Sequence, residues 1–238
     1  MDQKLQQSLG NHVLDSLPEA ELGRLQPFLS QVAMQQSSIV YNPRSEIDYV
    51  YFPLTCLLSW VVTTLEGEMI EAGITGYEGM LGTQVLMGES LSAYRVEVEL
   101  AGVALRMRAD DFRKESAALP SLHRILLRYI YTQITQLTQS VGCNRFHTVE
   151  ERLCRWLLVA HDRAKSDELQ LTQEIVANMI GARRPAVNIV TGTLQSAGLI
   201  KGRRGRIIII DRQGLEDSAC ECYRIVKEEM DRFMSIKF

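Results

Sequence analysis

Residues 171–200, LTQEIVANMIGARRPAVNIVTGTLQSAGLI, decide how this chain is read. Thr172 is a good N-cap, with a hydroxyl able to accept from an unpaired first-turn amide, and Glu174 follows where the helix dipole favours an anion. Val176, Ala177 and Ile180 repeat at the spacing of one apolar helical face. Gly181 then supplies the left-handed residue that stops a helix and turns the chain. One short helix is predicted over 173–180. A second starts at Arg184 or Pro185, because proline suits the first helical position, and its apolar side runs Val187, Val190, Leu194 and Ala197 until Gly198. Ala177 and Gly181 are small where two helices must meet closely at a corner, and Val187 returns against the first helix. This is a helix-turn-helix pattern.

The second helix leaves Arg183, Arg184, Asn188 and Gln195 facing away from its apolar side, and arginine and asparagine forks match guanine and adenine edges. Beyond Gly198, residues 199–201, a GRRGR turn at 202–206 and the β-branched run 207–210 read as a hairpin with a cationic tip, a wing. Residues 175–210 hold six basic residues (Arg183, Arg184, Lys201, Arg203, Arg204, Arg206) and no Asp or Glu, in a chain of net charge −3. That asymmetry points to the phosphates of double-stranded DNA. An ordinary helical hairpin with a solvated basic face is the bland alternative, and it leaves the proline start and the basic wing unexplained.

Immediately upstream, residues 148–160 form an amphipathic helix in which Val149, Leu153, Trp156, Leu157 and Ala160 pack beneath the reading head. Gly142, Cys143 and Asn144 are the expected hinge, dividing the chain into 1–142 and 143–238. Before the hinge the pattern is helical from Ala109, with Asp110 or Asp111 as N-cap, a break near Pro120, and then SLHRILLRYIYTQITQLTQSVG. Leu127, Ile130, Ile134, Leu137 and Val141 alternate steps of three and four, as a coiled-coil seam does. Two readings stand: a helix that pairs with a second copy, or one buried against its own β domain. Residues 31–108 show short β-rich runs at 38–41, 49–52, 57–65, 68–74, 93–100 and 102–107, with Glu66-Gly67 as a hairpin tip, spaced as in an antiparallel sandwich or barrel. Short helices at 12–17 and 18–28 precede them.

At 238 residues, 46% apolar and 23% charged, the chain is a globular one with room for two domains. No run of eighteen apolar residues exists, and the amino end MDQKLQQSLGNHVLDSL lacks a signal-peptide core, so no membrane association and a cytoplasmic location are expected. The five cysteines are scattered and read as reduced thiols. Cys220 and Cys222 read as diverging surface thiols on a helix rather than as a redox switch. His12, His123, His147 and His161 are dispersed, as structural histidines are. No metal site, nucleophile elbow or phosphate loop is found, which argues against an enzyme. A module whose helix-turn-helix no longer binds DNA is a third reading, opposed by the intact basic wing.

An amino-terminal β domain, a long helix, the lead-in HTVEERLCRWLL and the stretch 171–200 together resemble the Crp/Fnr family of bacterial transcription regulators. YEGMLG at 77–82 is similar to that family's barrel motif. The resemblance implies an α+β fold: an N-terminal double-stranded β-helix or jelly roll, a central dimerisation helix over about 109–142, and a C-terminal winged helix-turn-helix. It implies a homodimer on a palindromic operator, working with RNA polymerase. Its cyclic-AMP-binding members use a Gly-Glu followed about ten residues later by Arg-Ser/Thr-Ala. Here Gly82 is followed by Thr83 and Gln84, and the position near Ser92 carries no cation. A buried phosphate without its bidentate arginine would lose roughly 3–5 kcal/mol, so cyclic AMP is not the expected effector. Gly88-Glu89 with Arg95 is a poor substitute, too closely spaced and followed by Val96. The iron–sulfur members' amino-terminal cysteines are absent, and no haem ligand stands out. The effector is left unassigned, and constitutive activity stays open.

The family's recognition positions fall on Arg184, Pro185 and Ile189, where familiar members carry arginine, glutamate and arginine. Only Arg184 keeps its chemistry, so the family's half-site does not transfer. Side-chain geometry assigns Arg184 to a guanine, Asn188 to an adenine and Ile189 to a thymine methyl, with Arg183 and Pro185 beside them. Thr172, Arg203, Arg204 and Arg206 are assigned to phosphates.

Overall fold

The structure is a computed structural model that describes residues 8–237; residues 1–7, where the stretch read for a signal peptide begins, and Phe238 lie outside the described residues. Two short helices, α1 (His12–Asp15) and α2 (Glu19–Leu25), open it. Fully buried Asn11 ties them to the β domain, capping Leu14 and donating to the carbonyls of Pro53 and Gly79, both at 2.9 Å.

Seven strands come next: β1 (Ser30–Met34), β2 (Ile39–Tyr41), β3 (Tyr49–Pro53), β4 (Leu57–Thr63), β5 (Met69–Thr75), β6 (Arg95–Leu100) and β7 (Gly102–Arg108). They form two antiparallel sheets, ordered β1-β7-β3 and β2-β6-β4-β5. Val50, Phe52, Leu58, Val96, Val98 and Ala104 fill the space between them. Six of these strands answer to the β-rich runs of the sequence. β1 does not, because only Met34 of its five residues is buried and it lacks inside-outside alternation; its pairing with β7 makes it a strand.

Beyond the strands lie α3 (Ala109–Ser116) and α4 (Pro120–Phe146). α3 begins one residue before the expected cap, with Arg108 at the N-cap and both Asp110 and Asp111 in the first turn, where the dipole favours them. α4 spans 27 residues, about 40 Å. It runs unbroken through Gly142, Cys143 and Asn144, so the expected hinge is a stretch of helix, and the chain first leaves helical geometry at His147. Glycine disfavours a helix interior by roughly 1 kcal/mol and asparagine by somewhat less, which the packing of buried Cys143 against the carboxyl-terminal segment overrides. The inner side of α4, including Leu122, Ile125, Leu126 and Tyr129, is buried in the barrel core.

The remainder is α5 (Val149–Ala164), β8 (Glu168–Leu169), α6 (Gln173–Met179), α7 (Arg184–Ser196), β9 (Ile200–Arg203), β10 (Arg206–Ile209), α8 (Arg212–Ser218) and α9 (Glu221–Met234). Thr148 and Glu151 close a capping box at the start of α5. α9 returns to α4, where Phe233 meets Tyr129 at 5.6 Å and His12 at 5.0 Å. The last helix therefore packs on the first turns of α4 and on α1. A second core joins Leu153, Trp156 and Leu157 of α5, Val176, Val187 and Leu194 of the helix pair, and Val61 and Ile74 of the barrel. Reading head and barrel share that core.

Candidate nucleic-acid interface

α6 starts where its cap demands: the Thr172 hydroxyl accepts from the Ile175 amide at 3.2 Å and keeps its own proton free to donate. The turn favours a glycine on two counts. Gly181 takes φ +57°, and a Cβ there would stand 2.5 Å from Ile70 Cδ1 of β5. α7 begins at Arg184 with Arg183 as N-cap and Pro185 in its first turn. Its buried side is Val187, Thr191 and Leu194. Ala197, expected there, is exposed because the helix ends at Ser196 and the apolar stripe closes through Thr191, 3% exposed. The outer side carries Arg184, Pro185, Asn188 and Ile189, all exposed, with Arg183 exposed beside them.

β9 and β10 pair antiparallel with Arg203 opposite Arg206, so Arg204 and Gly205 form a two-residue tip in which Gly205 takes φ +72°. β8, too short for a sequence signal, adds a third strand on β10. Gln195 does not face outward to read: its Oε1 accepts from the Gly202 amide at 2.8 Å and fixes the wing to α7. Thr172, Arg184, Arg203, Arg204 and Arg206 line one groove of about 420 Å³ between the helix pair and the wing. Arg206 is partly committed, since it pairs with Glu168 at 2.7 Å, both half-exposed. Among the described residues, no salt bridge involves Arg183, Arg184, Arg203 or Arg204, so their charges are uncompensated by the fold.

A family model described as a Crp-like helix-turn-helix domain matches residues 151–218. These residues are a Crp-like helix-turn-helix domain. Beyond that domain, the fold is that of solved Crp/Fnr regulators, which align with about four-fifths of the chain. FixK2 from Bradyrhizobium japonicum aligns with TM-score 0.69 at 14% identity, covering 81% of this chain and 98% of its own. A CRP-family transcriptional regulator from Thermus thermophilus aligns with TM-score 0.64 at 21% identity, covering 80% and 96%. The c-di-GMP responsive regulator CLP from Xanthomonas campestris aligns with TM-score 0.64 at 14% identity, covering 81% and 99%. No curated protein matches the chain by sequence.

The Crp-like domain is wired to the barrel through two buried carboxylates. Glu71 of β5 accepts from Ser59 Oγ at 2.7 Å and from Trp156 Nε1 of α5 at 3.0 Å. Burial raises its carboxyl from 4.5 to about 7, and burial with the neighbouring Glu71 raises Glu99 to about 8. Glu78, in the YEGMLG stretch, accepts from Arg163 Nε of α5 at 2.9 Å, with both side chains buried. Gln136 of α4 accepts from the same guanidinium at 3.1 Å. Gly79 has its own reason, for a Cβ would fall 1.9 Å from the Tyr129 ring. At the barrel position where cyclic-AMP binders carry arginine, Ser92 is buried and its hydroxyl donates to the Tyr94 carbonyl at 2.7 Å. Arg95 is paired with Glu97.

Of the assigned seam, Leu127, Ile134 and Val141 are 51%, 54% and 74% exposed and form one stripe along α4 with Tyr131. Ile130 and Leu137 are half-buried, and Leu137 packs against the barrel core. Cys220 and Cys222, expected as diverging surface thiols, are both buried and converge on Cys143 and His147. The reason is that Cys220 is the N-cap of α9 and not a helical residue, so the two side chains need not diverge. The contact between the two thiols lowers Cys143 and raises Cys220, and Cys143 in turn raises His147. The signal in the sequence is Cys143-x-x-x-His147, one helical turn apart.

Proposed function

We propose that this chain is a sequence-specific transcriptional regulator that binds a palindromic operator as a homodimer and acts with RNA polymerase in the cytoplasm. The observation that carries the reading is the groove in which Thr172, Arg184, Arg203 and Arg204 converge beside an exposed recognition helix. In the proposed complex Arg184 forks onto a guanine, Asn188 pairs with an adenine and Ile189, 70% exposed, meets a thymine methyl, with Arg183 and Pro185 flanking them. Thr172, Arg203 and Arg204 hold phosphates, and Arg206 joins them by sharing its charge with Glu168. The stripe Leu127, Ile134 and Val141 supports the paired-helix reading, with Ile130 and Leu137 at its margin. The sensor unit extends from the barrel through α4, and the reading unit starts from His147, a few residues beyond the boundary that sequence suggests. No described helix is long and apolar enough to cross a membrane.

The regulation we propose uses an effector other than cyclic AMP, or none. A buried cyclic phosphate needs a cationic fork, and here Ser92 offers a hydroxyl already spent while Arg95 is already paired. A barrel signal would reach α7 through Trp156 and Arg163, the side chains that α5 lends to Glu71 and Glu78. Selection of bound sequences from random DNA by the purified chain, with and without cell extract, tests the proposal. A two-fold symmetric motif in either arm is expected, and enrichment only with extract assigns an effector. Recovery of unselected sequence in both arms overturns the reading.

A further inference from the structure

Four side chains from two distant segments meet where α4 ends against the start of α9. Cys143 and His147 lie one helical turn apart at the end of α4, while Cys220 caps α9 and Cys222 sits in its first turn. Cys143 Sγ stands 3.6 Å from Cys220 Sγ, and Cys222 Sγ stands 3.7 Å from His147 Nδ1. All four donor atoms lie within 4.8 Å of one another. A tetrahedral ion with bonds of about 2.3 Å to sulfur and about 2.0 Å to nitrogen sets its ligand atoms roughly 3.5–3.8 Å apart, so two edges of that tetrahedron already have their length. A disulfide would need about 2.05 Å. The span suits one ion and is too small for a multi-iron cluster.

The surroundings complete the site. His147 turns Nδ1 toward Cys222 and Nε2 toward the Glu221 carboxylate, 3.3 Å away. A carboxylate on the outer ring nitrogen fixes the proton there and leaves the inner lone pair for a metal. Three thiolates and a neutral imidazole around a divalent ion carry one net negative charge. Arg155 of α5 is 7% exposed, and its Nε has no hydrogen-bond partner among the described residues.

We propose that Cys143, His147, Cys220 and Cys222 bind a single zinc ion, with Glu221 orienting the histidine. Binding releases up to three thiol protons to solvent and involves no change of oxidation state. The ion would clamp α9 onto the end of α4, where the long helix gives way to the reading domain.

The full-length reduced chain, stripped of metal with a chelator, is titrated with Co²⁺ and then with Zn²⁺. One equivalent of Co²⁺ should produce the intense visible bands of a tetrahedral thiolate site, and one equivalent of Zn²⁺ should abolish them. Cys222→Ser should lose or strongly weaken them, and Cys154→Ser, a buried thiol elsewhere, should keep them. Glu221→Gln keeps the shape of a side chain that is 65% exposed, and should weaken zinc by roughly 10–100-fold. A wild-type chain that gives no tetrahedral spectrum, bands that survive Cys222→Ser, or zinc affinity unchanged by Glu221→Gln would each overturn the proposal. So would a Cys143–Cys220 disulfide that forms equally fast with and without stoichiometric zinc.

Discussion

Replacing Glu71 by glutamine should remove a pH dependence built into the contact between barrel and reading domain. Glu71 is buried, bridges Ser59 to Trp156, and has its carboxyl raised from 4.5 to about 7 chiefly by burial. Arg155 and Arg163 oppose that rise and Glu99 is the nearby carboxyl. The folded state thus holds this proton more tightly than the unfolded chain. Its contribution is fully present below about pH 4.5, declines as pH rises, and is lost above about pH 7. A displacement of that size is worth about 3 kcal/mol, a large share of a typical stability of roughly 5–15 kcal/mol. Glutamine preserves the carbonyl that accepts from Trp156 and cannot ionise. Urea unfolding followed by tryptophan fluorescence between about pH 4.5 and 8 should show the wild type losing about 3 kcal/mol relative to Glu71→Gln. Without a charge at position 71, Glu99 also titrates lower, which moves the difference in the same direction. Curves that stay parallel across the range would refute the assignment.

Arg163→Ala leaves Glu78 buried without its cation and should cost about 3–5 kcal/mol by the same unfolding assay, with Glu78→Ala similar in size. Gly79→Ala drives a methyl into the Tyr129 ring and should cost about 1–3 kcal/mol, read as a lowered melting temperature. Ile134→Glu with Val141→Glu places charge on the exposed stripe of α4; sedimentation should then report a monomer, with stability little changed and operator affinity sharply reduced.

The reading head is legible in the sequence because its signals are local. Thr172 caps, Gly181 turns and Pro185 starts a helix through chemistry that neighbouring residues supply. What sequence does not show depends on packing between residues far apart along the chain. Gly142 and Asn144, weak helix formers that read as a hinge, are held in helix by distant packing. β1 and β8 exist through their partners, having almost no pattern of their own. The YEGMLG stretch is recognisable as a motif, yet its work here, Glu78 holding Arg163 and Gly79 clearing Tyr129, emerges only when the barrel meets α5. The cysteines mislead for a similar reason, since 77 residues separate Cys143 from Cys220, which it touches.

Operator titrations of the wild type, Arg184→Ala and Arg204→Ala over a range of salt separate base reading by α7 from phosphate binding by the wing. Arg184→Ala should cost roughly 1–3 kcal/mol and relax the choice of base at one position of each half-site. Arg204→Ala should weaken all sequences alike and reduce the salt slope by about 0.9 for each phosphate it no longer neutralises. Equal losses in both variants, with sequence preference and salt slope unchanged, would contradict that separation.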